Sequence, residues 1–220
     1  MIINLKKINY YYLSNNNDER KNHIVEEFKD YNLIEVNSDP IYNNSRYQSG
    51  ASGFNNMLEL GKKQQDESNN FEPFIILEDD IKKYKEFPEF IDIPDNTDLF
   101  YIGLSKCGIY YEGVFNIVKY SNINMDIIQI YNMLSSHGII ICSYSGLSII
   151  QNCILNAIKY NLPWDIELAT IQKIYNIYAF RIPLIYQYEK LGGNEYATKI
   201  EYNELLEHPP GKIINYYWIK

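Results

Sequence analysis

The sequence predicts an α/β fold with a mostly parallel sheet flanked by helices. Three observations carry that prediction. Apolar runs of strand length alternate with segments of helical period. The runs at 74–77 and 99–104 are apolar at nearly every position, as in strands covered on both faces. No internal repeat or linker interrupts the 220 residues, a length that suits one domain with a sizeable core.

The Tyr-rich run 8–13 reads as the first strand. Asn15, Asn16, Asn17 and Asp18 then offer a turn and a helix cap, and Ile24, Val25 and Phe28 share one face of the helix that follows. Residues 33–36 form a second strand, and 37–50 are polar and irregular. Ser52 is placed to cap a helix carrying Phe54, Met57, Leu58 and Gly61. The strand 74–77 follows, then a proline-bearing connection at 87–98 and the strand 99–104. Residues 110–120 suit a hairpin or an irregular excursion, and 125–134 read as a helix. A strand at 139–142 leads to a helix at 145–160 with Leu147, Ile150, Ile154 and Ile158 in phase. Pro163 and Asp165 begin a helix reaching about 177, and 178–186 return as a strand. The remainder reads as loop with a short helix near 201–207.

The net charge is −8 and the sequence pI about 5.0. A chain that grips a nucleic acid backbone normally presents a basic face. None is visible, so nucleic acid is not an expected partner. Three cysteines, Cys107, Cys142 and Cys153, are odd in number and contain no CxxC pair, which favours buried thiols in a reducing compartment over a disulfide framework. Lys6 and Lys7 interrupt the apolar start, so no signal peptide is expected, and no run approaches the roughly 20 apolar residues of a membrane span. A cytoplasmic location is the expectation. The 22 tyrosines, with abundant Asn, Ile and Lys, are compatible with an AT-rich genome such as that of a large DNA virus. Host cytoplasm or virion would then be the setting.

One feature is chemically pointed. The strand at 74–77 runs straight into Glu78, Asp79 and Asp80. In an open α/β sheet, ligands gather at the carboxyl ends of strands. Three consecutive acids there repel one another unless something neutralises them, and hard cations such as Mg²⁺ and Mn²⁺ prefer carboxylate oxygens. The competing reading is a solvated acidic loop, or a helix start that favours negative charge. Side chains alternate along an extended backbone, so three adjacent acids cannot all face one ion.

The surroundings sharpen the choice. ILEDD after a buried strand resembles the metal-binding, DXD-like motif of glycosyltransferase family 25, the group of lipopolysaccharide and collagen galactosyltransferases. YYLSNNNDER (11–20) is similar to that family's opening strand and Arg-containing turn, with one extra residue before Arg20. YQSGASGF (47–54) resembles its Gly-containing helix entry, and LFYIGLS (99–105) its next core strand. SSHGIIICS (135–143) resembles its Thr-His-Ala-Tyr strand entry, with His137 on the histidine. PWDIEL (163–168) resembles its Pro-x-Asp segment, with Asp165 on the aspartate. The segments occur in order over most of the chain. The chain departs from the pattern at Met57 and Leu58, which replace a Ser-His pair, and at Gly138 and Ile139, which replace Ala-Tyr.

The resemblance implies a GT-A type fold with a Rossmann-like, mostly parallel central sheet. It also implies a UDP-sugar donor and Mn²⁺ (or Mg²⁺), with transfer of galactose or glucose to a hydroxyl on a glycan, lipid-linked sugar or protein. Asp80, with Glu78 or Asp79, would hold the metal against the donor diphosphate. Leu13, Ser14, Arg20, Gly50, Glu78 and Asp79 would line the nucleotide-sugar site, and the turn at 49–53 would let backbone approach the nucleotide. Transfer with inversion needs a base for the acceptor hydroxyl. Asp165 is first choice, with a helix N-cap as its structural alternative. His137 would bond donor or acceptor hydroxyls or complete the metal shell, its alternative being a satisfied structural histidine. Trp164 suits either a sugar face or a packing site, His23 a helix surface, and His208 a loop.

Two other classes compete. One is a nucleotide-sugar- or glycan-binding module that keeps the scaffold without turnover, a reading favoured by the missing Ser-His. The other is a glycoside hydrolase, which needs two carboxyl groups about 5–10 Å apart across a sugar. Acids adjacent in sequence suit that poorly.

Overall fold

The computed structural model describes residues 1–14, 17–42, 45–65, 70–105, 107–111 and 114–192. The expectations for Asn15, Asn16, His208 and the helix near 201–207 lie outside the described residues.

The chain opens with β1 (Ile2–Asn4) and β2 (Asn9–Ser14), then α1 (Asp18–Glu27) and β3 (Asn32–Asn37). Asn17 caps α1 by accepting the Arg20 N–H at 3.1 Å. A single 3-10 turn precedes α2 (Arg46–Lys63), followed by β4 (Phe74–Leu77), β5 (Ile81–Lys83), β6 (Phe90–Asp92) and β7 (Leu99–Tyr101). Next come β8 (Cys107–Tyr111), β9 (Val114–Ile117), β10 (Lys119–Asn122), β11 (Ile127–Tyr131) and β12 (Gly138–Ile141). The described part ends with α3 (Tyr144–Tyr160), α4 (Trp164–Ile171), β13 (Ile177–Phe180) and β14 (Ile185–Gln187). No helix among the described residues is long and apolar enough to cross a membrane.

Eight strands form one sheet in the order β10-β11-β13-β7-β12-β4-β2-β3. The molecule is therefore mixed α/β, and the expectation of a mostly parallel sheet is corrected. β3, β2 and β4 run parallel, as do β7 and β13. β12 enters antiparallel to both of its neighbours, β4 and β7, and β10 and β11 add an antiparallel edge.

Period-2 alternation splits the sheet's side chains between two cores. Tyr11, Leu13, Phe74, Ile76, Leu99, Tyr101, Ile139 and Ile141 pack with α2, α3 and α4. Tyr10, Tyr12, Ile75, Leu77, Phe100 and Ile140 pack with Ile24 and Phe28 of α1 and with Ile3 and Ile91 of the β1–β6 pair. Both faces are covered, which is why β4 and β12 are apolar at every position but the glycine that starts β12.

Several further boundaries differ from expectation: the helix begun at Pro163 ends at Ile171 and not near 177, and the strand expected over 99–104 ends at Tyr101. α2 begins at Arg46 under a Ser45 cap, so the predicted turn at 49–53 is helix. The range 125–134 holds the strand Ile127–Tyr131 and no helix. Asn124 Oδ1 accepts the N–H groups of Asp126 and Ile127, closing a local turn, and the β-branched Ile127, Ile128 and Ile130 then pair between β10 and β13. The predicted strand 178–186 is broken near Pro183. β13 stays in the main sheet while β14 pairs with β5.

Candidate functional site

Parallel β2, β4 and β7 bring their carboxyl ends to one edge of the sheet. Because β12 is antiparallel, its first residue is there too: Gly138 pairs with Leu77, the last residue of β4. His137 and the acidic run 78–80 are thus neighbours across strands, although about sixty positions separate them in sequence.

The three acids diverge, as alternation requires. Glu78 is half-buried. It accepts a hydrogen bond from Ser136 Oγ on one oxygen and from Gln187 Nε2, at 2.8 Å, on the other. Asp79 is 2% exposed and takes a charged hydrogen bond from Arg20 Nη1 at 2.9 Å. Asp80 is 7% exposed, with Oδ2 at 3.7 Å from Arg20 Nη2. Its Oδ1 is buried without a hydrogen-bond partner. Burial pushes the Glu78 carboxyl well above the usual range, and the charges of Asp80 and Asp165 add to the rise. Burial likewise raises Asp80, opposed by Arg20 and reinforced by Asp79. Both shifts record negative charge held out of water with too little compensation.

A strap with no local signature in the residue pattern closes this edge. The Tyr188 N–H donates to the Asp80 carbonyl at 2.6 Å, and Gln187 reaches Glu78 from 109 positions away. His23, expected on a helix surface, donates from Nε2 to the Ile81 carbonyl at 2.9 Å and stacks on Tyr188 with ring centroids 5.5 Å apart. Gly192 has φ of +85°, and a Cβ there would lie 2.9 Å from Arg20 Nη2.

His137 is 1% exposed. Its Nδ1 bonds Ser135 Oγ at 2.9 Å, whereas Nε2 has no partner. A Cβ at Gly103 would sit 2.2 Å from Nε2, so that glycine makes the room for the ring. Burial lowers the imidazole to about 4, so it is neutral at physiological pH.

Asp165 lies in the first turn of α4 rather than at its N-cap, which is Pro163. Its half-buried carboxylate accepts the backbone N–H groups of Ile166 and of Asp165 itself, and burial still raises it to about 6. Its charge is felt by Glu78 and by the buried Tyr101 at the end of β7. Trp164 packs against Phe54, centroids 4.8 Å apart, which makes it a core residue. Leu13 is core as well, since a Cβ at Gly53 would lie 2.1 Å from Leu13 Cδ1. Ser14 ends β2 at the same edge of the sheet, buried opposite Asn37. Gly50 is inside α2 with nothing within 4 Å of a Cβ built there, so no close approach demands it.

The chemistry of the acids suits a hard divalent cation: oxygen donors, uncompensated charge and one unpartnered carboxylate oxygen on Asp80. Their convergence is incomplete. Among the described residues, no three His, Cys, Asp or Glu side chains form a group that would hold a metal ion. Asp80 is the one of the three acids with a buried carboxylate oxygen without a hydrogen-bond partner. No family model matches the chain, and no curated protein matches it.

Proposed function

We propose that the protein is a metal-dependent glycosyltransferase on a GT-A type scaffold. It would move galactose or glucose from a UDP-sugar to a hydroxyl of a glycan, lipid-linked sugar or protein, with inversion. The observation that carries the reading is the unpartnered Oδ1 of buried Asp80, at the carboxyl end of β4, beside Glu78, both carboxyls being raised by burial. The ordered resemblance to glycosyltransferase family 25 supports the same assignment.

In this reading Asp80 would hold Mn²⁺ or Mg²⁺, which would supply positive charge for a diphosphate leaving group. Arg20 adds a second positive charge beside it. Asp165 takes the proton of the acceptor hydroxyl. With its carboxyl raised to about 6 it is ionised at neutral pH yet basic enough to accept a proton. The acceptor oxygen bonds the anomeric carbon as the carbon–oxygen bond to UDP breaks on the opposite face. His137, neutral and 1% exposed with an unpartnered Nε2, would support this edge from beneath and not touch the sugar.

A second reading has a specific observation behind it. Met57 and Leu58, which stand where the resembling family has Ser-His, are fully buried in the core under α2 and cannot meet a ligand. A binding module without turnover is therefore the alternative. Titration of UDP-galactose and UDP-glucose with and without Mn²⁺, followed by an assay for released UDP, separates the two. Mn²⁺-dependent binding that Asp80→Ala abolishes, with slow UDP release, supports the transferase. Binding without release supports the module, and the absence of binding refutes both.

A further inference from the structure

We infer that Asp79 is a positioning residue that acts through Arg20: it holds the guanidinium beside Asp80 as the protein's own cation for a diphosphate, and does not itself ligate the metal. The inference rests on the reading of this edge as a diphosphate site, and it assigns Asp79 a role different from the one its place in the acidic run implies.

Geometry carries it. Arg20 Nη1 is 2.9 Å from Asp79 Oδ1, a charged hydrogen bond linking the first turn of α1 to the loop after β4. The carboxylate is sealed, its side chain only 3% exposed, whereas the arginine side chain is 21% exposed. Asp79 therefore lies behind the guanidinium, and the guanidinium faces outward. The second arm is less engaged. Nη2 stands 3.7 Å from Asp80 Oδ2, inside ion-pair range and too long for a hydrogen bond. Asp80 Oδ1 has no hydrogen-bond partner, although the residue is only 7% exposed. One buried carboxylate oxygen thus waits for a cation beside a planar cation with donors to spare.

Those two features are complementary. A guanidinium carries five N–H donors in a rigid fork that matches paired phosphate oxygens. The Asp79 bond fixes that fork from one side, and Gly192, at φ +85°, closes it from another by leaving space where any side chain would collide with Nη2. Asp79 already commits Oδ1 to Arg20 and is sealed behind the guanidinium, whereas Asp80 keeps an oxygen without a partner.

The test uses pyrophosphate as the probe, titrated calorimetrically into the full chain at saturating Mn²⁺. Wild type, Arg20→Ala, Asp79→Asn and the double variant form one cycle. Each single change is expected to weaken pyrophosphate binding by about tenfold, the scale of one charged hydrogen bond. In the Arg20→Ala background, Asp79→Asn is expected to change affinity by less than about twofold, because its effect has already been removed. Arg20→Lys keeps a charge against Asp79 and is expected to fold like wild type. It should still bind several-fold more weakly, since an ammonium has no planar fork.

The inference is overturned if Asp79→Asn costs the same in both backgrounds, as an independent metal ligand would. It is equally overturned if Arg20→Lys binds as wild type does, or if wild type binds no pyrophosphate. Wild type that binds Mn²⁺–pyrophosphate but neither UDP-galactose nor UDP-glucose would instead sink the transferase reading and leave the Arg20–Asp79 assignment standing.

Discussion

Replacing Asp165 with Asn separates the catalytic and structural sides of this residue, because the two respond differently to pH. In the folded chain the Asp165 carboxyl is raised from its ordinary 3.8 to about 6 by burial. Below pH 3.8 the folded and unfolded states both hold the proton, and the group is neutral in its effect. As pH rises from 3.8 to about 6, the unfolded state ionises while the folded state does not, so wild-type stability falls. Above about 6 the deficit is constant. At 1.36 kcal/mol for each tenfold change in proton affinity, the shift corresponds to about 3 kcal/mol. The side chain is only partly buried and solvent screens it, so the expected figure is about 1.5–3 kcal/mol. Asn carries no charge to desolvate and still accepts the Ile166 N–H, while losing about 0.5 kcal/mol of favourable interaction between a negative charge and the helix start.

Asp165→Asn should therefore match wild type near pH 4 and exceed it by about 1–2.5 kcal/mol above pH 6.5. For a chain of this length that is a rise of about 2–10 °C in melting temperature. Denaturant unfolding at several pH values between 4 and 8 measures the gap directly. UDP release by the same variant should fall by about 10²–10⁴-fold if the residue is the base. A stability gap that does not grow with pH would refute the burial argument. Undiminished turnover would remove Asp165 from the chemistry whatever its stability does.

Other outcomes follow from the same edge of the sheet. Mn²⁺ at about 100 times its dissociation constant should stabilise wild type by about 2.7 kcal/mol in thermal melts at pH 7.5, and Asp80→Ala should cancel the gain. Gly103→Ala puts a methyl group 2.2 Å from His137 Nε2 and should cost about 1–3 kcal/mol in urea unfolding, with shifted His137 resonances in the NMR spectrum. Gln187→Leu removes the donor to Glu78 Oε2 and should cost about 1–3 kcal/mol at pH 8. The loss should shrink at low pH, where Glu78 is protonated in both states, so a penalty unchanged between pH 4 and pH 8 would show that Gln187 supports the fold by packing alone.

The parts of this molecule written locally were legible from its residues. β4 announced itself as four consecutive apolar residues, and α3 as apolar positions in helical phase. The N-cap of α1 was readable because Asn17 and its acceptor role need only three residues. Non-local features left no such trace. Ile127, Ile128, Ile130 and Met133 satisfy a helical spacing as well as a strand, and only the flanking β10 and β13 decide between them. The Gln187–Glu78 bond and the β1–β6 pairing join positions about ninety or more apart, beyond any window of periodicity.

The direction of β12 is the most consequential of these hidden features. Gly138-Ile139-Ile140-Ile141 is equally apolar whichever way it runs, so composition is silent on its orientation. Run parallel to β4, its first residue would pair near Phe74, and the histidine before it would stand at the opposite edge, about 13 Å from the acids for a four-residue strand. Run antiparallel, Gly138 pairs with Leu77, and Ser136 and His137 arrive beside Glu78. Pairing decides the direction, not the connection. β11 is antiparallel to β13, β13 is parallel to β7 and β7 is antiparallel to β12, so β11 and β12 run the same way. The six residues between Tyr131 and Gly138 therefore carry the chain back along the sheet, and six extended residues span roughly 20 Å, enough for that return. Strand direction, set by pairing with β4 and β7 far away in sequence, is thus what brings a neutral histidine beside the buried acids.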